Sequence, residues 1–161
     1  KRNTNHRRSD ENKRHRIQAH TRDKRKNIQM IEFNQKEIDF LESLEEARIA
    51  TSHNDIPHVK PVSFVFYDNT ILVATDYNAR TFSNIKSNPN TGIVIDVYKS
   101  GNHKAICIQG KAEIIKNGLE FKKLYDIFYK KFEWVRKDPW GENEAPFLKI
   151  FPKNKVSWGL K

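Results

Sequence analysis

Cysteine is nearly absent from this chain of 161 residues: Cys107 stands alone. One thiol forms no intrachain disulfide and builds no multi-cysteine metal site. No run of about 18 apolar residues occurs, nor anything like a secretory leader, so a membrane span is not expected. A reducing cytoplasm is the expected compartment. G-x-G-x-x-G, P-loop, nucleophile-elbow and paired His-Glu motifs are missing as well. Classical dinucleotide folds, ATPases, serine hydrolases and zinc proteases therefore have no support. Negative charge is scarce at the start: residues 1–30 hold eleven Lys/Arg against three Asp/Glu, a net of +8. Of the whole chain's +10, only +2 belongs to residues 31–161.

What is present divides the chain in two. In residues 1–30 the large apolar residues are Ile17, Ile28 and Met30, too few to offset the entropy of ordering, so this tail is expected to be disordered when free. Its charge fits a tether to nucleic acid, an anionic lipid surface or an acidic partner, but the reading preferred here is a solvated extension that keeps the protein soluble. No aromatic residue interleaves with the charges, so base stacking is not supported.

The folded domain is expected over 31–161. Asn34 with Glu37 three residues on reads as a capping box, and Ile38, Leu41 and Leu44 follow at helical spacing, with a helix end near Ala47. Arg48–Ser52 reads as a strand, and His53-Asn54-Asp55 as a turn. Residues 57–67 are rich in β-branched and aromatic side chains, and Asp68-Asn69 is a hairpin signal that returns the chain through Thr70–Thr75. A short helix is expected over 80–87, stopping before Pro89. Strands over 92–99 and 103–115 follow, with Gly110 marking a bulge. An amphipathic helix spans 119–134, and a last strand runs over 147–158. Six strands and three helices give a fold that is mainly β with peripheral helices, a six-stranded antiparallel split barrel.

Two places carry chemistry. Alternation along 57–67 puts His58, Lys60, Val62, Phe64 and Phe66 on one face, and Val59, Pro61, Ser63 and Val65 on the other. Both faces are largely apolar, so burial on two sides is expected, and Lys60 then needs an anion: a phosphate ester or a structural carboxylate. The stretch Thr75-Asp76-Tyr77-Asn78-Ala79-Arg80-Thr81 leads from a strand end into a helix start. Free N–H groups, the forked Arg80 donor and the hydroxyls of Thr75, Thr81 and Ser83 suit an anion there. Ordinary capping by Asn78 or Thr81, with Arg80 in solvent, is the alternative. His53, His58 and His103 have no metal-ligand spacing. Cys107 reads as packed core. The aromatic run Tyr125, Phe128, Tyr129, Phe132 and Trp134 reads as helix packing, and Trp140 lies in a loop able to cover a pocket.

Arg48-Ile49-Ala50-Thr51, a turn, Pro57-His58-Val59-Lys60-Pro61-Val62, then Ala74-Thr75 through Arg80 to Asn88-Pro89 resembles the flavin-binding split barrels of pyridoxamine-phosphate oxidase and its deazaflavin-using relatives. The ending Lys149-Ile150-Phe151-Pro152 with Val156-Ser157-Trp158-Gly159 is similar to the closing strand of smaller members. The resemblance covers about residues 36–160 and rests on the order and spacing of short motifs.

It implies a homodimer with cofactor sites at the subunit interface. It implies FMN, or alternatively the deazaflavin coenzyme F-420, with Lys60 at the phosphate and the backbone of Val59, Pro61 and Val62 lining the ring. Thr75, Arg80 and Thr81 match the phosphate-side loop and helix start, and Trp158 the approach of the closing strand. Ala79 and Thr81 stand where members often carry Ser and Lys. The C-terminal extension of true pyridoxamine-phosphate oxidases does not follow the closing strand, so vitamin B6 oxidation is not expected. The expected function is an oxidoreductase acting on a small organic substrate, with the cofactor doing the redox chemistry. A non-catalytic flavin carrier or sensor is the alternative, and nucleic-acid contact through the tail is a third reading.

Overall fold

The computed structural model describes residues 31–161; the basic stretch 1–30, with its expected disorder, lies outside the described residues. In order, the elements are α1 (Gln35–Glu42), β1 (Glu46–His53), β2 (Ile56–Tyr67), β3 (Thr70–Ala74), α2 (Arg80–Ser87), β4 (Asn90–Val97), β5 (Lys104–Ile115), α3 (Gly118–Lys131), α4 (Glu133–Lys137) and β6 (Phe147–Trp158). The strands close an antiparallel barrel in the order β1-β2-β3-β6-β5-β4. The expected six-stranded barrel is the fold.

Local chemistry sets the turns. Asn54 and Asp55 join β1 to β2, and Asp68 and Asn69 join β2 to β3, each with φ between 50° and 61°. Two successive left-handed residues make the tight turn whose twist suits a hairpin, and Asn and Asp tolerate that region. Gly110 marks a bulge, as expected: the β5–β6 register slips between Gln109 and Gly110, so Gly110 faces Pro152 while Gln109 faces Asn154. Lys153 is the extra residue. A Cβ on Gly110 would stand 2.6 Å from the Phe151 carbonyl oxygen, which leaves glycine as the residue that fits.

Two apolar cores share the strands. Alternate side chains such as Ile49, Phe64, Ile71, Ile95, Ile106 and Ile150 fill the barrel. On the outer wall, Val65, Leu72 and Phe147 pack under Phe121, Leu124, Phe128 and Val135 of α3 and α4. The expected single helix over 119–134 is broken at Phe132, whose φ of −109° and ψ of 125° are extended. Phe128 and Phe132 pack inward as expected, whereas Tyr129 and Trp134 remain exposed. Trp140 stacks on Trp134 with ring centroids 5.7 Å apart, so it completes this aromatic layer.

α1 begins with the expected capping box: the Glu37 N–H donates to Asn34 Oδ1 at 3.0 Å, and the Asn34 N–H to Glu37 Oε2 at 2.9 Å. It stops at Glu42, short of Ala47, because β1 pairs with β2 from Glu46 onward. Pairing with β2 overrides the helical spacing of Leu44 and Ala47. Glu37 then turns into the barrel end, where Lys155 Nζ and Ser157 Oγ of β6 both donate to its carboxylate, the latter at 2.8 Å. Lys131 ties α3 to the start of the sheet by donating to the Leu44 carbonyl at 2.8 Å.

Two further expectations are corrected. Cys107 is half-buried on the outer wall opposite Val94 and Val156, because the inward positions of that run belong to Ile106 and Ile108. And β2 is not buried on both faces throughout. Its second half is, but Pro57, Val59 and Pro61 are exposed, since α3 covers the wall only around Val65.

Candidate functional site

The site is built where β2 outruns β3. Pairing with β3 involves Phe64–Tyr67 alone, whereas residues 56–63 pair only with β1. Beyond Ala74 the chain leaves the sheet, and the Thr75 N–H donates to the Pro146 carbonyl at 3.1 Å. A turn closed by the Ala79 N–H on the Asp76 carbonyl, at 3.1 Å, then delivers α2.

Neither Asn78 nor Thr81 caps α2. Ala79 holds the cap position and has no side chain to offer, so the first N–H groups keep their positive end unmet by a side chain. Thr81 is fully buried and Thr75 nearly so, and neither hydroxyl has a hydrogen-bond partner among the described residues. Buried hydroxyls are normally satisfied, so these two orphans on either side of the helix start stand out, although neither threonine lines a cleft described below.

α2 is fixed against β1. Asn84 Nδ2 donates to Thr51 Oγ1 at 3.0 Å in a buried bond, and Asn88 Nδ2 donates to Ser52 Oγ at 3.2 Å. The Tyr77 ring meets Phe82 edge-on at 5.1 Å, with Lys116 Nζ 5.9 Å from each ring. A cleft of about 380 Å³ opens between the helix start and the β1–β2 turn, lined by His53, Asn54, Asn78, Arg80 and Ser83 among others. No carboxylate among the described residues lines it. A second cleft, of about 470 Å³, lies on the outer wall over Ala50 and Gly92, with Gln109, Asn154 and the bulge residue Lys153 at its rim.

Of the residues expected at the site, Arg80 lines the first cleft, and Thr75 and Thr81 supply the orphan hydroxyls. Lys60 is half-buried, on the interior side of the sheet opposite Ile49. Among the described residues it makes no ion pair, so the structural-carboxylate alternative has no support. Val59 and Pro61 lie on the outer wall, and Val62 points into the barrel core. Trp158 is on the outer wall opposite Ala105, edge-on to His103 at 5.5 Å, and lines neither cleft. His58 Nε2 is a third buried atom without a partner among the described residues, next to Lys60 on the interior face. Asn84 had no signal of its own, because its role is to bond Thr51, 33 positions away. Nor had the Glu37–Lys155 pair, which joins the two ends of the domain.

The titratable groups with displaced pKa values lie elsewhere. Burial would push the Glu37 carboxyl up, but Lys155, the Asn34 N–H and Ser157 together hold it below the usual range. Burial pushes Lys131 down, against the opposing pull of Glu45 and Glu42. Among the described residues, no cluster of three or more His, Cys, Asp or Glu could hold a metal ion. None of the described helices is long and apolar enough to cross a membrane.

Comparison with known proteins agrees with this architecture. No curated protein sequence matches the chain. Among solved structures it is similar to the conserved hypothetical protein Rv2991 of Mycobacterium tuberculosis, with a TM-score of 0.68 and 17% identity over 83% of this chain and 89% of that one. A FAD-binding protein of Mesorhizobium loti gives a TM-score of 0.64 and 15% identity over 74% of this chain and 89% of its own. The heme storage protein HutZ of Vibrio cholerae gives 0.67 and 13%, over 80% of this chain and 95% of its own. At such identities the likeness is one of fold. The sequence profile of pyridoxamine 5'-phosphate oxidase matches residues 33–153, three-quarters of the chain. The chain belongs to the pyridoxamine 5'-phosphate oxidase family.

Proposed function

We propose that the barrel binds a flavin, FMN in the first place and the deazaflavin coenzyme F-420 as the alternative. Its phosphate sits at the start of α2, and its ring lies along the unpaired part of β2. The observation that carries this reading is the pair of partnerless buried hydroxyls, Thr75 and Thr81, flanking an uncapped helix start that presents Arg80. A phosphate ester would accept from both hydroxyls, from the guanidinium fork and from the free N–H groups of the first turn. Lys60, without a carboxylate partner among the described residues, adds a second positive charge from β2. Thr81 replaces the lysine usual in relatives with a hydroxyl, which leaves Arg80 and Lys60 as the cations. The flavin binding of the Mesorhizobium protein on the same fold supports the choice of ligand.

A bound flavin supplies hydride or single-electron chemistry; the protein holds it and shapes access to its face. Among the described residues, His53 is the one acid–base side chain lining the first cleft. That scarcity fits an oxidoreductase in which a small organic substrate reacts directly at the ring, and it equally favours a carrier or sensor that binds without turnover. The heme storage role of HutZ shows this fold serving storage elsewhere. In our reading the protein is a homodimer, with the exposed outer-wall residues Val59, Val156 and Trp158 facing the second copy.

Titration of FMN fluorescence tests the assignment. Arg80→Ala and Lys60→Ala should each weaken binding tenfold or more, since a hydrogen bond to a charged group contributes about 1.5–3 kcal/mol. Unchanged affinity in both variants would remove the phosphate from this site. Reduction of the bound flavin by NAD(P)H, followed by reoxidation with candidate acceptors, separates enzyme from carrier.

A further inference from the structure

Two local features of the sheet shape the second cleft, on the outer wall. One is the bulge. The register passes from Gly110 facing Pro152 to Gln109 facing Asn154, which leaves Lys153 without a partner residue. Pro152 is buried, and Lys155 and Ser157 both reach Glu37 at the barrel end, so Lys153 and Asn154 turn outward in succession. Bulges commonly re-aim side chains beside functional sites, and this one sets an ammonium and a carboxamide side by side. Lys153 makes no ion pair among the described residues. The other feature is the floor. Ile49 and Ile93 point into the core, so their neighbours Ala50 and Gly92, which face each other across β1 and β4, lie on the outer wall. Glycine weakens the interior of a strand, because it costs backbone entropy and packs no side chain. Packing does not demand it at 92: an added Cβ would meet only the Ala50 Cβ, at 3.6 Å, an ordinary contact. What the missing side chain leaves is an open, flat floor, with Pro57 of β2 at one side and Gln109 of β5 at the other.

We propose that this cleft binds a small aromatic carboxylate, such as a hydroxylated benzoate. The ring lies on the floor over Ala50 and Gly92, and its carboxylate meets the Lys153 ammonium. Charge selects an anion, since Lys153 lines the cleft and, among the described residues, no carboxylate does. The floor selects a flat body: a tetrahedral anion would use the ammonium and leave the sheet surface over Gly92 uncovered. The carboxamides of Asn90, Gln109 and Asn154 select a ring with a polar substituent, because each offers both a donor and an acceptor. Asn154 Nδ2 and Gln109 Oε1 stand 3.5 Å apart, the long limit of a hydrogen bond, so both remain free to turn to a ligand. The volume of about 470 Å³ suits a small molecule. This site is separate from the flavin reading, because none of the residues assigned to the flavin lines it.

Calorimetric titration of the full chain with 4-hydroxybenzoate and with neutral 4-hydroxybenzyl alcohol tests the assignment. The acid should bind saturably and the alcohol about fivefold more weakly, the loss expected for one solvent-exposed charge pair. Lys153→Gln should bring the acid down to the level of the alcohol. Gly92→Val is the decisive variant. Its side chain suits a strand, so the protein should melt at the parent's temperature or above it, while binding of the acid falls by about tenfold or more. FMN affinity should be the same in both variants, and saturating FMN should not displace the acid. Should Gly92→Val fail to fold, Lys153→Gln decides together with the side-chain amide resonances of Gln109 and Asn154, which should move with the acid. Parent-level binding of the acid by folded Gly92→Val, equal binding of acid and alcohol, or displacement of the acid by FMN each overturns the assignment. So does the absence of saturable binding at millimolar acid, whether a second copy covers this wall or the cleft is too open to hold a ring. The flavin reading stands or falls separately, on the FMN titrations of Arg80→Ala and Lys60→Ala.

Discussion

Glu37 is the residue on which most depends locally. It caps its own helix, ends inside the barrel at 2% exposure and ties α1 to β6 through Lys155 and Ser157. Its pKa in the folded chain lies below that of the unfolded chain, so the folded state binds fewer protons between the two values. The stabilisation is complete above the unfolded carboxyl's value, near 4.3, and is lost as the pH falls through the folded one. Glu37→Gln leaves Lys155 without its counter-charge and should cost about 2 kcal/mol or more at neutral pH. Urea unfolding at pH 7 and at pH 3 should show the variant losing less stability on acidification than the parent. Equal losses would place the acid sensitivity elsewhere.

Among elements, β2 shows what a sequence pattern reveals and what it hides. Its hairpin to β3 was legible in Asp68-Asn69 because only a few residue types accept left-handed backbone, and Gly110 announced its bulge for a related steric reason. The outward run Val59, Pro61 and Val65 could not be divided by pattern. All three are apolar, and only the placing of α3 decides that Val65 is covered and Val59 is not. Cys107 departs from expectation on the same ground, since a run of Ala, Ile, Cys and Ile does not tell the two walls apart. For the site, the helix start and its threonines were readable as consecutive residues. Asn84 with Thr51 and Glu37 with Lys155 were not, because each pair meets only after folding. The prolines of β2 also act as guards at the level of the strand. A Pro57→Ala/Pro61→Ala double variant restores two edge donors and should associate beyond the parent's state, as read by light scattering across concentrations. No change in assembly would mean that the edge is shielded by other means.

At the scale of the whole molecule, charge is divided between two regions. The net +8 of residues 1–30 precedes a domain of +2, so attraction to a polyanion belongs to the tail. If that tail is a tether, the full chain should be retained on DNA or RNA columns at low salt and released as salt rises, while a chain lacking residues 1–30 passes through. Negligible retention of both forms would assign the tail to solubility alone. Flavin affinity should be the same with and without it, because the residues assigned to the ligand all lie between positions 31 and 161.

The barrel's interior is filled: Ile49, Phe64, Ile71, Ile95 and Ile106 leave it no exposed surface, and Glu37 with Lys155 closes one end. The cleft lined by His53, Asn78 and Arg80 therefore lies beside a solid peg and not within it. The side chains that line this cleft and those that fill the peg are different sets. On the proposed reading, the ligand held at this cleft could be exchanged for another by altering the former while the latter stay as they are.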